Sequence, residues 1–255
     1  MQDQRFSIKG KTIIVTGASS GLGRGLSLAF AKAGANVTVA SRNLSKLEIL
    51  VEEIESAGGM AVAAKTDVTQ GTDIDRMIKI TIEKFGGIDV LLNNAGMSIP
   101  GLLAEQVSEK EMQTIMDTNF KGTFLCGAAV ARYMLEQKKG KIINMSSVLG
   151  QAAWAKASIY CVSKAAINHL TKAWAIEWAS KNVTVNALAP TFIETDMNRH
   201  LFTQEEYKAR VLSHLPMGRI GLLEDLIGPA IFLASNASDF ISGHILTVDG
   251  AWTCL

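Results

Sequence analysis

Tyr160 and Lys164 stand four residues apart in the stretch S-I-Y-C-V-S-K-A-A-I-N-H-L. On a helix that spacing puts both on one face, a turn apart. An ammonium beside a phenol favours the phenolate and lowers the tyrosine pKa from its usual ~10. A phenol tuned in this way exchanges a proton with an alcohol near neutral pH. Alone, the pair carries little. A tyrosine on a buried helix face most often fills space, and a lysine one turn on most often reaches to water. Its meaning depends on the elements around it.

Those elements alternate. Thr12–Thr16 (T-I-I-V-T) is a β-branched run of the kind buried in parallel sheets. Further strands are read at 36–40, 60–65, 88–93, 141–145, 183–188 and 245–248. Apolar residues at helical spacing fill the gaps: from Leu26 to Ala33, stopped by Gly34, then 45–57, 74–85, 108–136, the Tyr160 helix, and 223–235. Seven strands alternating with helices predict an α/β protein. It is a Rossmann-type, doubly wound parallel sheet with helices on both faces and right-handed crossovers. No linker, repeat or low-complexity tract divides residues 1–255, so one domain is expected. Pro190 breaks the pattern. Residues 191–215 mix polar, aromatic and charged types and read as a loop with short helices over the sheet edge, a candidate lid.

Between the first strand and first helix lie Gly17, Ser19, Ser20, Gly21, Leu22 and Gly23. A strand–turn–helix with glycines there lets backbone N–H groups approach a pyrophosphate at the positive end of the helix. The spacing is G-x-x-x-G-x-G, which a Gly-rich turn without a ligand could also show. The second strand ends in Ser41 and Arg42, with no acid. An acid at that place holds a ribose 2′-hydroxyl and an arginine accommodates a 2′-phosphate, so NADP is favoured over NAD without excluding it.

Composition narrows the function classes. The chain has 255 residues, 48% hydrophobic, with 25 basic and 24 acidic side chains and a net charge of +1. No nucleic-acid partner is expected from that balance. The basic cluster Lys138, Lys139 and Lys141 reads as a solvated loop before a strand. Three cysteines without metal-ligand spacing read as reduced thiols, and four scattered histidines predict no metal site. No apolar leader or membrane-length run is visible, so a cytoplasmic location away from membranes is expected.

The motifs together resemble the short-chain dehydrogenase/reductase family over essentially the whole chain. They are T-G-A-S-S-G-L-G from Thr16, Asp67-Val68, N-N-A-G from Asn93, Asn119 in D-T-N-F-K-G-T-F, Ser147 in I-I-N-M-S-S-V-L-G, Tyr160 with Lys164, P-T-F-I-E-T-D-M from Pro190, and V-D-G-A from Val248. The resemblance implies that Tyr160 is the general acid/base and that Ser147 hydrogen-bonds the substrate oxygen. Lys164 binds the nicotinamide ribose and lowers the Tyr160 pKa. Asn119 interrupts its helix and holds a water linking Lys164 to solvent. Asp67 and Val68 contact the adenine; Asn93, Ala95 and Gly96 back the cofactor. Ile193 and Thr195, after Pro190, hold the nicotinamide carboxamide. The resemblance further implies a homotetramer that pairs the helices at 108–136 and 158–180, with Ala251, Trp252 and Leu255 at a second interface.

Two positions depart from the pattern. Thr191 stands where the family usually has glycine, and a β-branched residue does not readily take a positive φ. The turn therefore has another backbone shape or does not need glycine. Ala251 also replaces a usual glycine.

Expected walls of the substrate pocket are Ser98, Leu149, Gln151, Trp154 and Phe192, with His200 and Phe202 from the candidate lid. Polar and aromatic walls suit a sugar, a sugar acid or a small or cyclic ketone. The turn after Pro190 and the C-terminal V-D-G-A-W-T resemble gluconate 5-dehydrogenase-like members. The general pattern also resembles β-ketoacyl-carrier-protein reductases, whose acidic partner would need a basic patch such as Lys138, Lys139 and Lys181. A non-catalytic nucleotide-binding sensor or scaffold is the reading from another class, and such proteins usually lose the tyrosine, lysine or serine.

Overall fold

The computed structural model describes residues 4–99, 101–195 and 198–254. Seven strands form one parallel sheet in the order β3-β2-β1-β4-β5-β6-β7. They are β1 (Thr12–Thr16), β2 (Asn36–Ser41), β3 (Met60–Lys65), β4 (Val90–Asn93), β5 (Gly140–Met145), β6 (Val183–Pro190) and β7 (Ile245–Val248). The helices are α1 (Gly21–Lys32), α2 (Leu44–Ser56), α3 (Gly71–Phe85), α4 (Glu109–Met116), α5 (Gly122–Gln137), α6 (Ser158–Trp178), α7 (Glu205–Leu212) and α8 (Leu223–Ala234). This is the doubly wound α/β architecture expected from the alternation.

Each central strand feeds two cores. In β1, Ile13 and Val15 join a cluster with Leu26 and Phe30 of α1, Leu47 and Leu50 of α2, and Leu226 of α8. Ile14 points the other way, among Met77 of α3, Val130 of α5 and Trp174 of α6. Period-two alternation therefore makes both faces apolar, and no polar face remains to distinguish them. A third cluster lies over the carboxyl ends of the strands. It joins Leu149, Phe202, Val211, Leu215 and Trp252. The strand order reverses between β1 and β4, and ligands of such sheets bind at that reversal, beyond the carboxyl ends.

Local signals explain the boundaries. Asn43 caps α2 by accepting from Lys46 N at 3.1 Å. Ser108 and Glu111 form a capping box at the start of α4. Gly86 closes α3 in the left-handed region at φ 81°.

Three expectations need correction. The helix read at 108–136 is two helices, separated by a π-helical segment at Asp117–Lys121. Pro190 does not break β6: it is the strand's last residue, opposite Val248. The β5 pairing has already ended at Leu188, so no N–H is needed from Pro190 on that side. The basic cluster is not uniformly solvated. Lys141 is only 7% exposed inside β5, and its Nζ donates to Asp239 Oδ1 at 2.8 Å and Ser238 Oγ at 3.2 Å. Of the turn from Pro190, Asp196 and Met197 lie outside the described residues, as does Leu255.

Candidate active site

A cleft of about 1100 Å³ runs along the carboxyl ends of the strands from the β1–α1 turn to α7. Its first part is backbone. Gly17 takes φ +68° and Gly21 φ +53°, a region that side chains disfavour. A Cβ on Gly17 would come within 2.8 Å of Ala95 Cα, and one on Gly23 within 2.4 Å of Gly17 O. Ser20 is the N-cap of α1 but its hydroxyl makes no capping bond. The positive helix end thus opens into the cleft with its N–H groups free for an anion.

This turn is held by residues that sequence reasoning passed over. Thr16 Oγ1 accepts from Asn94 N and Ala95 N, both at 3.0 Å. Asn94 Nδ2 donates to Thr16 O at 2.9 Å and to Gly17 O at 3.3 Å. Both residues sit within the quoted motifs, but Asn93 was assigned the role. Asn93 is instead buried behind the sheet. Its Nδ2 donates to Asn144 Oδ1 at 3.0 Å, and it forms no part of the cleft wall. Asn93, expected to back the cofactor, is absent from the cleft wall, and Asn94 stands there in its place.

Ser19, Ser20, Leu22, Ser41 and Arg42 line the cleft beside the glycines. Arg42 is exposed and, among the described residues, without an ion pair. Asp67 and Val68 line it after β3, and one Asp67 oxygen is engaged by Thr69 N at 2.9 Å and Thr69 Oγ1 at 2.8 Å. Ala95 and Gly96 continue the wall to Pro190, Ile193 and Thr195.

At the middle of the cleft stand Ser147, Tyr160 and Lys164. Ser147 follows β5, its Oγ accepting from Leu149 N at 3.2 Å. Its hydroxyl is near enough to the Tyr160 phenol to favour the phenolate. Lys164 is buried; its Nζ donates to Met145 O at 2.7 Å and lies 5.6 Å from the Tyr160 ring centroid. Burial pushes the Lys164 ammonium down to about 8. It also pushes the Tyr160 phenol above its ordinary value, which the neighbouring Ser147 hydroxyl only partly offsets. The expected lowering of the Tyr160 pKa by Lys164 is therefore corrected for the protein alone: desolvation outweighs the ammonium, which spends its short contact on a carbonyl.

Asn119 lies in the π segment and is fully buried. Its Oδ1 accepts from Met97 N at 2.8 Å, and its Nδ2 donates to Met97 O at 2.9 Å and Ser163 Oγ at 3.0 Å. The side chain clamps the loop after β4 onto α6, beside Lys164, and is not part of the cleft wall.

Of the expected substrate walls, Ser98, Leu149, Trp154 and Phe192 line the cleft. Gln151 does not: it is exposed on the turn before α6 and is withdrawn from the list of walls. From the segment after Pro190, Phe202 lines the cleft and His200 does not. Tyr207 and Arg210 of α7 line it as well. No short motif marks these two residues, because α7 reaches the cleft through tertiary packing. Thr191 is not among the positive-φ residues, so its turn does not need glycine. Its Oγ1 is buried without a partner in the cleft wall. Among the described residues no cluster of three metal-ligating side chains occurs, and no helix is long and apolar enough to cross a membrane.

A parallel sheet with a glycine turn at its reversal point, and a serine, tyrosine and lysine converging beyond β5, defines a dinucleotide-dependent oxidoreductase site. The chain belongs to the short chain dehydrogenase family, whose model matches residues 11–206. It is an oxidoreductase of the class that interconverts alcohols and carbonyls. It is 36% identical over 248 residues to 2-dehydro-3-deoxy-D-gluconate 5-dehydrogenase of Escherichia coli, covering 97% of each chain. It is 37% identical over 243 residues to the 3-oxoacyl-(acyl-carrier-protein) reductase FabG of Thermotoga maritima, covering 95% of this chain and 98% of that one. Among solved structures it resembles a gluconate 5-dehydrogenase from Burkholderia cenocepacia in complex with NADP and tartrate. That match has a TM-score of 0.94 and 34% identity, and covers 99% of this chain and 98% of the other.

Proposed function

We propose that the protein interconverts a secondary alcohol and a ketone on a sugar, sugar acid or small cyclic compound, using NADP(H) and Tyr160 as general acid/base. The observation that carries this reading is the convergence of Ser147, Tyr160 and buried Lys164 in the same cleft as the glycine turn.

The cleft fits a dinucleotide. The cradle at Gly17 and Gly23 has no room for a Cβ, and the uncapped end of α1 offers N–H groups to a pyrophosphate. Arg42, at the end of β2 and unpaired among the described residues, suits a 2′-phosphate, and the similar Burkholderia protein binds NADP. When bound, the nicotinamide supplies or accepts the hydride at the substrate carbon. Lys164 would hold the ribose hydroxyls, Asp67 and Val68 the adenine, and Ile193 and Thr195 the carboxamide.

The remaining chemistry belongs to two hydroxyls. Ser147 and Tyr160 donate to the ketone oxygen, where negative charge develops during reduction, and Tyr160 delivers the proton. Burial keeps the phenol protonated at neutral pH, which readies it as a donor. Residues 191–215, with α7 packed on Trp154 and Trp252, serve as the lid.

Carrier-protein docking has weaker support. Lys138 and Lys139 precede β5 and Lys181 precedes β6, so all three lie at the amino ends of the strands. The cleft opens at the carboxyl ends, about 20 Å away along β5. Lys139 is also paired with Asp89 at 2.9 Å. A sensor without catalysis is disfavoured because the serine, tyrosine and lysine are all in place.

The chain acts as a homotetramer in the cytoplasm. Exposed Met112, Phe124, Val162 and Ile176 on α4, α5 and α6 supply apolar surface for pairing. Trp252 does not present itself to a second interface: it is 6% exposed within the third core.

Tyr160→Phe tests the assignment. Ketone reduction with NADPH should fall about 10³-fold while the NADPH Kd stays put, since one acid/base group contributes on the order of 10²–10⁴. Unchanged turnover would remove Tyr160 from the mechanism. Because its pKa is raised, wild-type reduction should be flat from pH 6 to 8 and fall at alkaline pH. Alcohol oxidation, which needs the phenolate, should climb over the same range.

A further inference from the structure

The substrate half of the cleft carries charges that proton transfer does not use. Lys156 and Arg210 line it in addition to buried Lys164. Among the described residues no carboxylate lines this half; the acid of the cleft wall, Asp67, stands at the other end, after β3. The excess is therefore positive and local, in a protein whose net charge is only +1.

Arg210 is held unusually for a surface arginine. Its guanidinium lies 5.2 Å from the Trp154 ring centroid and 5.4 Å from that of Tyr207. No carboxylate pairs with it among the described residues. Trp154 is itself fixed by Phe192 at 5.6 Å, His214 at 5.1 Å and Trp252 at 5.4 Å. Stacking engages the flat face of a guanidinium and leaves the donors at its edge free. Trp154 and Tyr207 pack in the same cluster as Tyr160, so the cation belongs to the pocket that holds the reacting atoms. Lys156 adds a second observation. Its backbone is left-handed at φ 64°, which costs a residue with a side chain about 1–2 kcal/mol. The loop before α6 thus places Lys156 at the cleft in a backbone conformation that side chains disfavour.

Resting on the reaction proposed above, we infer that Arg210, aided by Lys156, binds the carboxylate of a small hydroxy- or keto-acid substrate. The fork of a stacked arginine matches a carboxylate, and an uncharged sugar or ketone leaves it unused. The enzyme therefore selects sugar acids over neutral analogues.

The test compares 5-keto-D-gluconate with neutral L-sorbose, using NADPH and the wild type, Arg210→Met and Arg210→Lys. Arg210→Met should raise KM for the acid about 10- to 100-fold, the size of a lost charge-assisted pair, with kcat nearly kept. The KM for L-sorbose should rise at least tenfold less than that for the acid, and Arg210→Lys, which keeps charge without the fork, should fall between. A second arm needs no turnover: calorimetric titration of D-gluconate and of sorbitol into protein with NADPH. Gluconate should bind the wild type, bind Arg210→Met at least tenfold more weakly, and bind better than sorbitol. An unchanged acid KM in Arg210→Met, or equal binding of gluconate and sorbitol, overturns the clamp. So does an effect confined to acetoacetyl-coenzyme A, which would mean that the anion is a phosphate on a thioester arm. If no ketone is reduced but gluconate binding depends on Arg210, the reaction fails and the clamp stands. If neutral ketones are reduced and gluconate does not bind, the clamp alone fails.

Discussion

The two ends of the cleft are made of different material. The end at β1 and α1 is backbone: glycines at positive φ, free N–H groups, and one threonine and one asparagine that tie neighbouring turns together. The end at α7 is side chain: Trp154 from the loop before α6, Phe192 from the turn after β6, Tyr207 and Arg210 from α7, and Trp252 from the C-terminal turn. A backbone site depends on which residues lack a Cβ within a few positions of one another. A side-chain site depends on segments that tertiary packing alone brings together. The first kind suits the part of a ligand common to many reactions, and the second the part that differs.

The comparison breaks most sharply at Gly23. A Cβ there would lie 2.4 Å from both Gly17 O and Asn94 Nδ2, and the carbonyl cannot swing away as a long side chain could. Gly23→Ala should weaken NADPH binding by at least 100-fold and lower thermal stability. Gly228 in α8 has nothing within 4 Å of the same added atom. Gly228→Ala is the control and should stabilise the helix by about 0.5–1 kcal/mol. If Gly23→Ala binds NADPH like the wild type, the end at β1 is not the tight cradle its spacing implies.

A smaller effect separates the cofactors. Arg42→Ala should weaken NADPH binding about 10- to 100-fold, the range for losing hydrogen bonds to a charged group, and leave NADH nearly unchanged. Fluorescence titration with both nucleotides reads it directly. Equal losses for both would assign Arg42 to general electrostatics, and no loss would return the 2′-phosphate to another group.

The sequence made the two ends unequally legible. Strands such as β1, β3 and β7 were readable to the residue because each is a short, mostly apolar run whose periodicity differs from that of the flanking helices. The glycine turn, Ser147, Tyr160 and Lys164 lie in short motifs whose order survives folding. Asn93 was mistaken for Asn94 because the two are adjacent and identical in type; only the strand's facing separates the one that points into the core. The π segment at Asn119 left no period for a helix pattern to reveal, since a single wider turn keeps the apolar stripe running. Tyr207 and Arg210 carry no motif at all. The Tyr160 pKa was misjudged in sign because spacing shows that a lysine is near but not that its ammonium turns to Met145 O, nor how much water burial removes.

Ala251 is the mildest test, and it falls at the side-chain end. It replaces a usual glycine and adopts φ 70°, where an L-residue costs about 1–2 kcal/mol. The strain sits next to Trp252, whose ring stacks on His214 at 5.1 Å and packs on Trp154. Ala251→Gly relieves the backbone but gives the unfolded chain more freedom, an opposing term of about 0.4–1 kcal/mol. The net should be a stabilisation of about 0.5–1 kcal/mol, a rise in Tm of roughly 2 °C for a chain this long. Differential scanning calorimetry at fixed protein concentration measures it. A fall in Tm would show that the alanine methyl packs well enough to outweigh its strained backbone. An unchanged NADPH Kd in the same variant would keep the consequence at the substrate end, where the aromatic rings that hold Arg210 rest on this turn.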